Sequence, residues 1–412
     1  MQGTADASIP SADARCAPLP AANGAVEVSN AADLIAMAYA AQPGTTIVLA
    51  DGTYMLGGQI LQLRAEGVTV RSKSGDREKV ILDGEYSQAT GEVVAVTASN
   101  VTVADLTIAH AYTHAIHVQT SSGDVHGTRI YDVHVIDALE QGVKINLDAA
   151  GSHFPDDGTI ACSHIELTTA GRPQVRDNCY TGGIDAHGAR GWTVRDNLIE
   201  GFFCAQGLSE HGVHFWTGSR DTLIERNQIR NCARGVGLGL GETTSSSSDG
   251  WRTYADDPCP NHAPVGHYGG VVRNNFVFAD DAALFASDSG FDSGVALEQA
   301  CDASVLHNTV FAVTPPRSSA IEWRFANTSA LVVNNLANAP FVNRGSGATA
   351  TTNGNLDAAT AGFFVDATQG DLHLVPTAAA KGKGAPVAAG LCDDDIDGDP
   401  RVRPDVGADE LR

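Results

Sequence analysis

Short apolar frames recur along the chain in one form, small–apolar–X–apolar–X. They are AIHVQ (115–119), GVKIN (142–146), GIDAH (183–187), GVHFW (212–216), GVGLG (235–239), GVALE (294–298) and AIEWR (320–324). Alternation with a period of two is the pattern of a strand that buries every second residue. A second register runs beside the first: VRDNLI (194–199), IERNQI (224–229), VRNNFV (272–277), LHNTV (306–310) and VVNNL (332–336). Asparagines 197, 227, 275, 308 and 335 fall in step within it, whereas VADLTI (103–108) and YDVHVI (131–136) keep the frame without the amide.

Asn197 and Asn227 stand 30 residues apart. A unit of that length, made of short strands with no helix between them, cannot close as a βαβ crossover. It can coil as one rung of a parallel β-solenoid, each rung burying its inward residues against the next. The asparagines then form a ladder at a turn, their amides bonded from rung to rung. The predicted fold is all-β, one parallel β-helix over residues 29–345. Terminal rungs expose strand edges and need covers. Asn30 followed by Asp33, Leu34, Ile35, Met37 and Ala38 reads as an N-capped amphipathic helix that plugs the first rung. Residues 1–28 form an N-terminal extension, and residues 346–412 an irregular C-terminal cap with an acidic tail.

Composition narrows the partners. The 412 residues carry a formal net charge of −23 and only five lysines, a field that repels nucleic acid and anionic membranes. No apolar run reaches the roughly 18 residues of a membrane span. Eight cysteines without a CxxC pair suit disulfides in an exported protein, and Cys162–Cys179 is the expected bridge. The opening MQGTADASIPSADARCAPLP lacks the apolar core of a signal peptide, so any export signal has been removed or was never present; the expectation is a secreted or periplasmic monomer.

In a parallel solenoid, matching frame positions stack roughly 4.8 Å apart. One outward file reads His117, Lys144, Asp185, His214, Gly237, Ala296 and Glu322. The next reads Gln119, Asn146, His187, Trp216, Gly239, Glu298 and Arg324. Wetted positions of an acidic protein would fill with Asp, Glu, Ser and Thr. Here one of the five lysines and three of the 14 histidines share a strip, the mark of a site in a groove. Gly237 and Gly239 are expected to form a floor that a ligand approaches closely. Inserts 147–159, 172–182 and 241–270 would wall the groove.

Glycoside hydrolysis needs two carboxyls roughly 5–9.5 Å apart. Rung spacing puts Asp185 about 14 Å from Glu298 and about 19 Å from Glu322, so a hydrolase would need a loop carboxylate such as Glu210 or Asp156. Lys144, Asp185 and His187, flanked by His117 and His214, suit removal of a proton alpha to a carboxylate. Lys144, held charged by Asp185, would neutralise the substrate carboxylate; His187 would take the proton and Tyr180 would protonate the far side. Gln119, Asn146, Trp216, Glu298, Glu322 and Arg324 are the candidate substrate-binding residues, with Trp216 stacking on a sugar ring and the last three binding substrate or pairing with one another.

Residues 30–345 resemble the right-handed parallel β-helices of the pectate-lyase-like superfamily. Within them, YTGGIDAHGARG resembles the Tyr-Gly-Phe-Asp-Pro-His motif of mannuronan C5-epimerases, which also take a lysine from the preceding rung. Asp185, His187 and Lys144 match that motif; Tyr180 lies two positions too far from the aspartate, and alanine replaces the proline. The resemblance implies an enzyme that abstracts the C5 proton of a uronate in an acidic polysaccharide. The expected outcome is β-elimination by a polysaccharide lyase. A polyuronate epimerase, a glycoside hydrolase and a non-catalytic adhesive β-helix are the alternatives. The chemistry requires no cofactor. Asp393, Asp395 and Asp397, followed by Gly398, start a calcium loop whose closing glutamate is replaced by Pro404, which leaves Ca2+ as the one candidate metal of the tail.

Overall fold

A computed structural model describes residues 14–412 apart from 122, 177, 241–251, 261–264 and 346. Residues 1–13 of the N-terminal extension and the serine-rich part of the 241–270 insert therefore lie outside the described residues. Three long parallel sheets dominate. The first holds twelve strands, from Val26–Val28 to Thr349–Asn353. The second holds ten, from Gly52–Met55 to Leu336–Ala337, and the third ten, from Leu61–Leu63 to Phe341–Asn343. A single coil visits all three. Thr193–Arg195 is followed by Leu198–Glu200 and His211–Trp216, and Leu223–Glu225 then lies directly on Thr193–Arg195. The chain is a right-handed parallel β-helix.

The apolar frame explains the coil. Val143, Ile184, Val213, Val236, Val295 and Ile321 form one inward stack in the third sheet, all fully buried. Neighbouring rungs pair in register, so each buried side chain meets its counterpart above and below. The asparagine ladder occupies the turn between the first and second sheets. Each Nδ2 donates to the next Oδ1, from Asn197 through Asn227, Asn275, Asn308 and Asn335 to Asn355, at 2.9–3.0 Å. The residue before each of the first five asparagines has a positive φ, as at Asp196 (56°) and Asn274 (54°). The left-handed step aims the amide inward.

At the N-terminal end, helix Ala31–Ala40 is capped by Asn30, whose side chain accepts from the Asp33 amide, and it buries Leu34 and Ala38. The C-terminal region adds the last strand of the first sheet and then packs along the second. Phe364, Leu372 and Leu374 pack with Phe276, Phe278 and Phe311 of the second sheet. No helix among the described residues is long and apolar enough to cross a membrane. The expected Cys162–Cys179 bridge does not form. Cys162 pairs with Cys16, clamping the N-terminal extension to the first sheet; Cys179 pairs with Cys204, and Cys259 with Cys301. Spacing along the chain misled because Cys162 and Cys179 belong to different corners of the coil. Cys232 and Cys392 are free and buried.

Two stability predictions follow from the scaffold. Asn275 donates to Ile224 O, Arg273 O and Asn308 Oδ1 and accepts from Asn227, so Asn275→Ala leaves several buried groups unpaired. Its unfolding free energy should fall by about 3 kcal/mol, read from the denaturant midpoint. The second concerns His134, which bridges Glu78 (3.1 Å) and Glu166 (2.9 Å) and stacks on His164 at 4.5 Å. Burial opposes its charge, but the Glu166 and Glu78 hydrogen bonds win and push it up to about 9. A raised folded-state pKa stabilises fully below the unfolded value, near 6.5, and the gain disappears as pH climbs to about 9. The melting-temperature gap between wild type and His134→Asn should therefore be widest below pH 6.5 and close above pH 9.

Candidate active site

The two outward files stack as the frame requires. His117 pairs in register with Lys144, Lys144 with Asp185, Asp185 with His214 and His214 with Gly237. His187 stands opposite Trp216, Gly239 opposite Glu298, and Glu298 opposite Arg324. The first file is not a wet groove floor, however. Lys144 is 4% exposed, Asp185 1% and His214 0%, with Tyr180, His187 and Trp216 in contact with them.

Lys144 is the hub. Its ammonium donates to Asp185 Oδ2, to His187 Nε2 at 2.9 Å and to the Tyr180 hydroxyl at 3.3 Å. An ammonium has three hydrogens, and all three are directed at the protein. Burial disfavours the charge on both partners, but each steadies the other. Lys144 stays above its ordinary value, and the Asp185 carboxyl is held well below the carboxylate range. The second Asp185 oxygen accepts the Trp216 indole N–H at 2.8 Å. His187 Nε2 receives the Lys144 N–H, so its proton sits on Nδ1, which lies 3.2 Å from Thr217 Oγ1. Burial, opposed by Asp185, moves the His187 pKa down, so the ring is neutral at pH 7. Burial raises that of Tyr180, which keeps its phenolic proton. The exposed rim of the cluster is thus a neutral imidazole and a protonated phenol joined through one ammonium.

Tyr180 reaches the cluster from an insert between the second and third sheets. The Cys179–Cys204 disulfide next to it fixes that insert to the following rung. Other predicted residues lie elsewhere. His117 Nδ1 binds Glu92 at 2.6 Å, and Gln119 also donates to Glu92, so both are tied to a carboxylate outside the frames. Asn146 Oδ1 is buried without a hydrogen-bond partner among the described residues. Trp216 stacks on His214 at 5.5 Å with rings nearly parallel and contacts His187 at 4.3 Å, so it orients the cluster through its N–H as well as its ring. Arg324 pairs with Glu298, and Arg344 with Glu322 at 2.7 Å, which is the mutual pairing left open for that end of the strip.

The glycine rung has a different cause from the one expected. A Cβ at Gly237 would sit 2.6 Å from the His211 ring, and one at Gly239 would sit on Glu298 O. The space belongs to the chain's own atoms. Of the two loop carboxylates, Asp156 is clamped by Arg252 from the long insert, at 2.5 and 2.8 Å. Glu210 lies 3.2 Å from His214 Nδ1. In the tail, Asp395 accepts the amides of Asp397, Asp399 and Glu410, Asp393 accepts that of Gly390, and Asp397 pairs with His373. Those three carboxylates serve separate turns and do not converge on one ligand set.

Four residues escaped the sequence reading: His211, Arg234, His114 and Glu92. His211 and Arg234 occupy the position just before the frame glycine, in register with each other. Extending the frames one residue upstream would have exposed that file. His114 stands in the same place, just before Ala115 of its frame, and its pKa is forced well down by burial and then by His117 and Lys144.

No protein-family model matches the chain, and a search of curated proteins found no match. Solved structures share the fold. The chain is similar to pectate lyase Pel9A at a TM-score of 0.60 and 13% identity, over 92% of this chain and 90% of that one. It is similar to an alginate lyase from Paenibacillus sp. str. FPU-7 at a TM-score of 0.54 and 16% identity, over 80% of this chain and 99% of that one. Such likenesses establish the right-handed parallel β-helix fold.

Replacing both Cys179 and Cys204 by serine should cost roughly 3 kcal/mol of stability on loop-closure entropy. It should also speed proteolysis within residues 167–181. Unchanged melting and cleavage would mean that the Tyr180 insert is held without the bridge.

Proposed function

We propose that the chain is an exported enzyme that removes the C5 proton of a uronate residue in an acidic polysaccharide and expels the 4-O-linked sugar by β-elimination. The observation that carries this reading is the Lys144 ammonium donating at once to Asp185, His187 and Tyr180. It couples a neutral base to a protonated acid at the rim of a buried, mutually compensated ion pair. That is the equipment of proton abstraction next to a carboxylate.

In the step, His187 Nε2 takes the C5 proton as the Lys144 N–H yields its place, and Asp185 keeps the ammonium seated. The C5–H electrons form the C4=C5 bond, the C4–O bond breaks, and Tyr180 gives its proton to the departing oxygen. At rest all three Lys144 hydrogens are directed at Asp185, His187 and Tyr180, so its first role is the link between base and acid rather than a standing charge neutraliser. His117 and His214 do not supply the acid. The first is bound to Glu92 and the second is fully buried. Hydrolysis is disfavoured because both Asp185 oxygens are committed, to Lys144 and Trp216, and Asp156 is locked by Arg252. The similarity in fold to a pectate lyase and an alginate lyase supports elimination. The likeness of the Asp185–His187 segment to the epimerase motif favours a second reading, in which Tyr180 returns a proton to C5 from the opposite face. Three disulfides support an oxidising, extracellular location.

A polyuronate panel tests the proposal. Absorbance from a new C4=C5 bond is expected. Deuterium entry at C5 without that signal would mean epimerisation, and new reducing ends without unsaturation would mean hydrolysis. Tyr180→Phe should lose on the order of 10²-fold or more in kcat with the fold intact. Lys144→Ala should lose at least about 10²-fold. It also strands Asp185 without its cation, at about 3–5 kcal/mol, so its folded fraction is measured first. Turnover within about threefold of wild type for the folded Lys144→Ala protein would sink the mechanism.

A further inference from the structure

Glu210, His211 and His214 gather at the start of the His211–Trp216 strand, outside the Lys144 hub. One potential ligand atom from each lies within 4.8 Å of the other two. His211 is 1% exposed and His214 fully buried. The facing atoms, Glu210 Oε2, His214 Nδ1 and both nitrogens of His211, have no hydrogen-bond partner among the described residues. Buried imidazole nitrogens are rarely left so, because each unpaired polar atom carries its full desolvation cost.

The tautomer of His214 is fixed. Its Nε2 lies 2.8 Å from the Gly239 carbonyl, which can only accept, so Nε2 carries the proton. In the neutral ring, Nδ1 then turns a lone pair toward Glu210 Oε2, 3.2 Å away. Two acceptors held face to face require a proton or a metal ion between them; a proton on His214 Nδ1 would serve that one contact and still leave both His211 nitrogens without a partner among the described residues. An outer hydrogen bond of this kind is what orients a metal-binding histidine. A tetrahedral ion with bonds of about 2.0–2.1 Å separates its ligand atoms by about 3.3 Å, close to the spacing found.

The surroundings keep the space open. Gly237 removes the Cβ that would strike the His211 ring. Arg234 approaches Glu210 Oε2 at 3.6 Å, but its Nε and Nη2 donate to Ser209 O at 3.0 and 2.7 Å, so it balances charge without filling the gap. Two other clusters of similar composition differ in this respect. His134 is already held by Glu78 and Glu166, and His373 by Asp371 and Asp397.

We infer that Glu210, His211 and His214 bind one first-row divalent cation of the zinc type. Two neutral imidazoles and a carboxylate suit Zn2+, Co2+ or Ni2+ over the oxygen-preferring Ca2+ and Mg2+. His214 is then a ligand rather than a proton donor.

The test uses the full chain, stripped with a chelator, dialysed and titrated with Zn2+ by calorimetry and with Co2+ by its visible absorption. One equivalent is expected, with the intense bands of a low-symmetry Co2+ site. Glu210→Gln and His211→Gln should each weaken binding by more than the roughly 10- to 100-fold that loss of an outer partner costs, whereas His134→Gln and His373→Gln should leave it unchanged. If His211→Gln melts early, Glu210→Gln, on the less buried insert, reads the same site. Absence of a saturable equivalent in the wild type would overturn the inference, as would unchanged affinity in both site variants. Neither readout depends on turnover, so the metal site and the proposed lyase activity stand or fall separately.

Discussion

In-register stacking of parallel strands is the constraint on which the rest depends. Once each coil repeats its frame, a residue's neighbours are set by frame position, not by distance along the chain. Lys144 and Asp185 are 41 residues apart in sequence and share an ion pair because both occupy the third place of their frames. The asparagine ladder enforces the same register from the opposite corner. A slip of one residue would take every amide from its partner and turn the inward stack of Val143, Ile184 and Val213 toward solvent.

That scaffold makes a buried ion pair tolerable. Taking an ammonium and a carboxylate out of water costs several kcal/mol per ion, and only close geometry with every remaining hydrogen bond satisfied offsets it. Lys144 meets that condition with three acceptors, and Asp185 with Lys144 and Trp216. The same saturation sets the division of labour. The charged pair is structural and electrostatic, and the groups left able to exchange protons with a ligand are the two that the ammonium touches at the rim.

The fold and most of the hub were readable because both are periodic. The frames gave the two outward files in their true register, and the amides gave the ladder. What escaped lay outside the frames as they were cut. Tyr180 was legible as a candidate, but its place on the Lys144 hub was not, because it arrives on an insert tied down by the Cys179–Cys204 bridge. Glu92 captures His117 from a rung whose frame lacks the small-residue start. Gly237 and Gly239 looked like room for a ligand because a sequence reports a missing side chain but not what fills the gap. His211 filled it, from one position upstream of where the frames were cut.

The charge balance gives these pieces a common logic. A chain at −23 must present local positive potential to hold a polyanion. The hub provides none, since Lys144 is matched by Asp185, and the far end of the strip matches Arg324 and Arg344 with Glu298 and Glu322. Beside the hub, Arg234 is matched by Glu210 at 3.6 Å. A divalent cation held there would turn that corner of the site positive, adjacent to Asp185, where His214 Nδ1 stands 3.8 Å from Oδ1. Its field would act on the carbanion-like side of the proposed reaction. Substrate affinity would then fall on metal removal while the Lys144–Asp185–His187–Tyr180 contacts stayed in place.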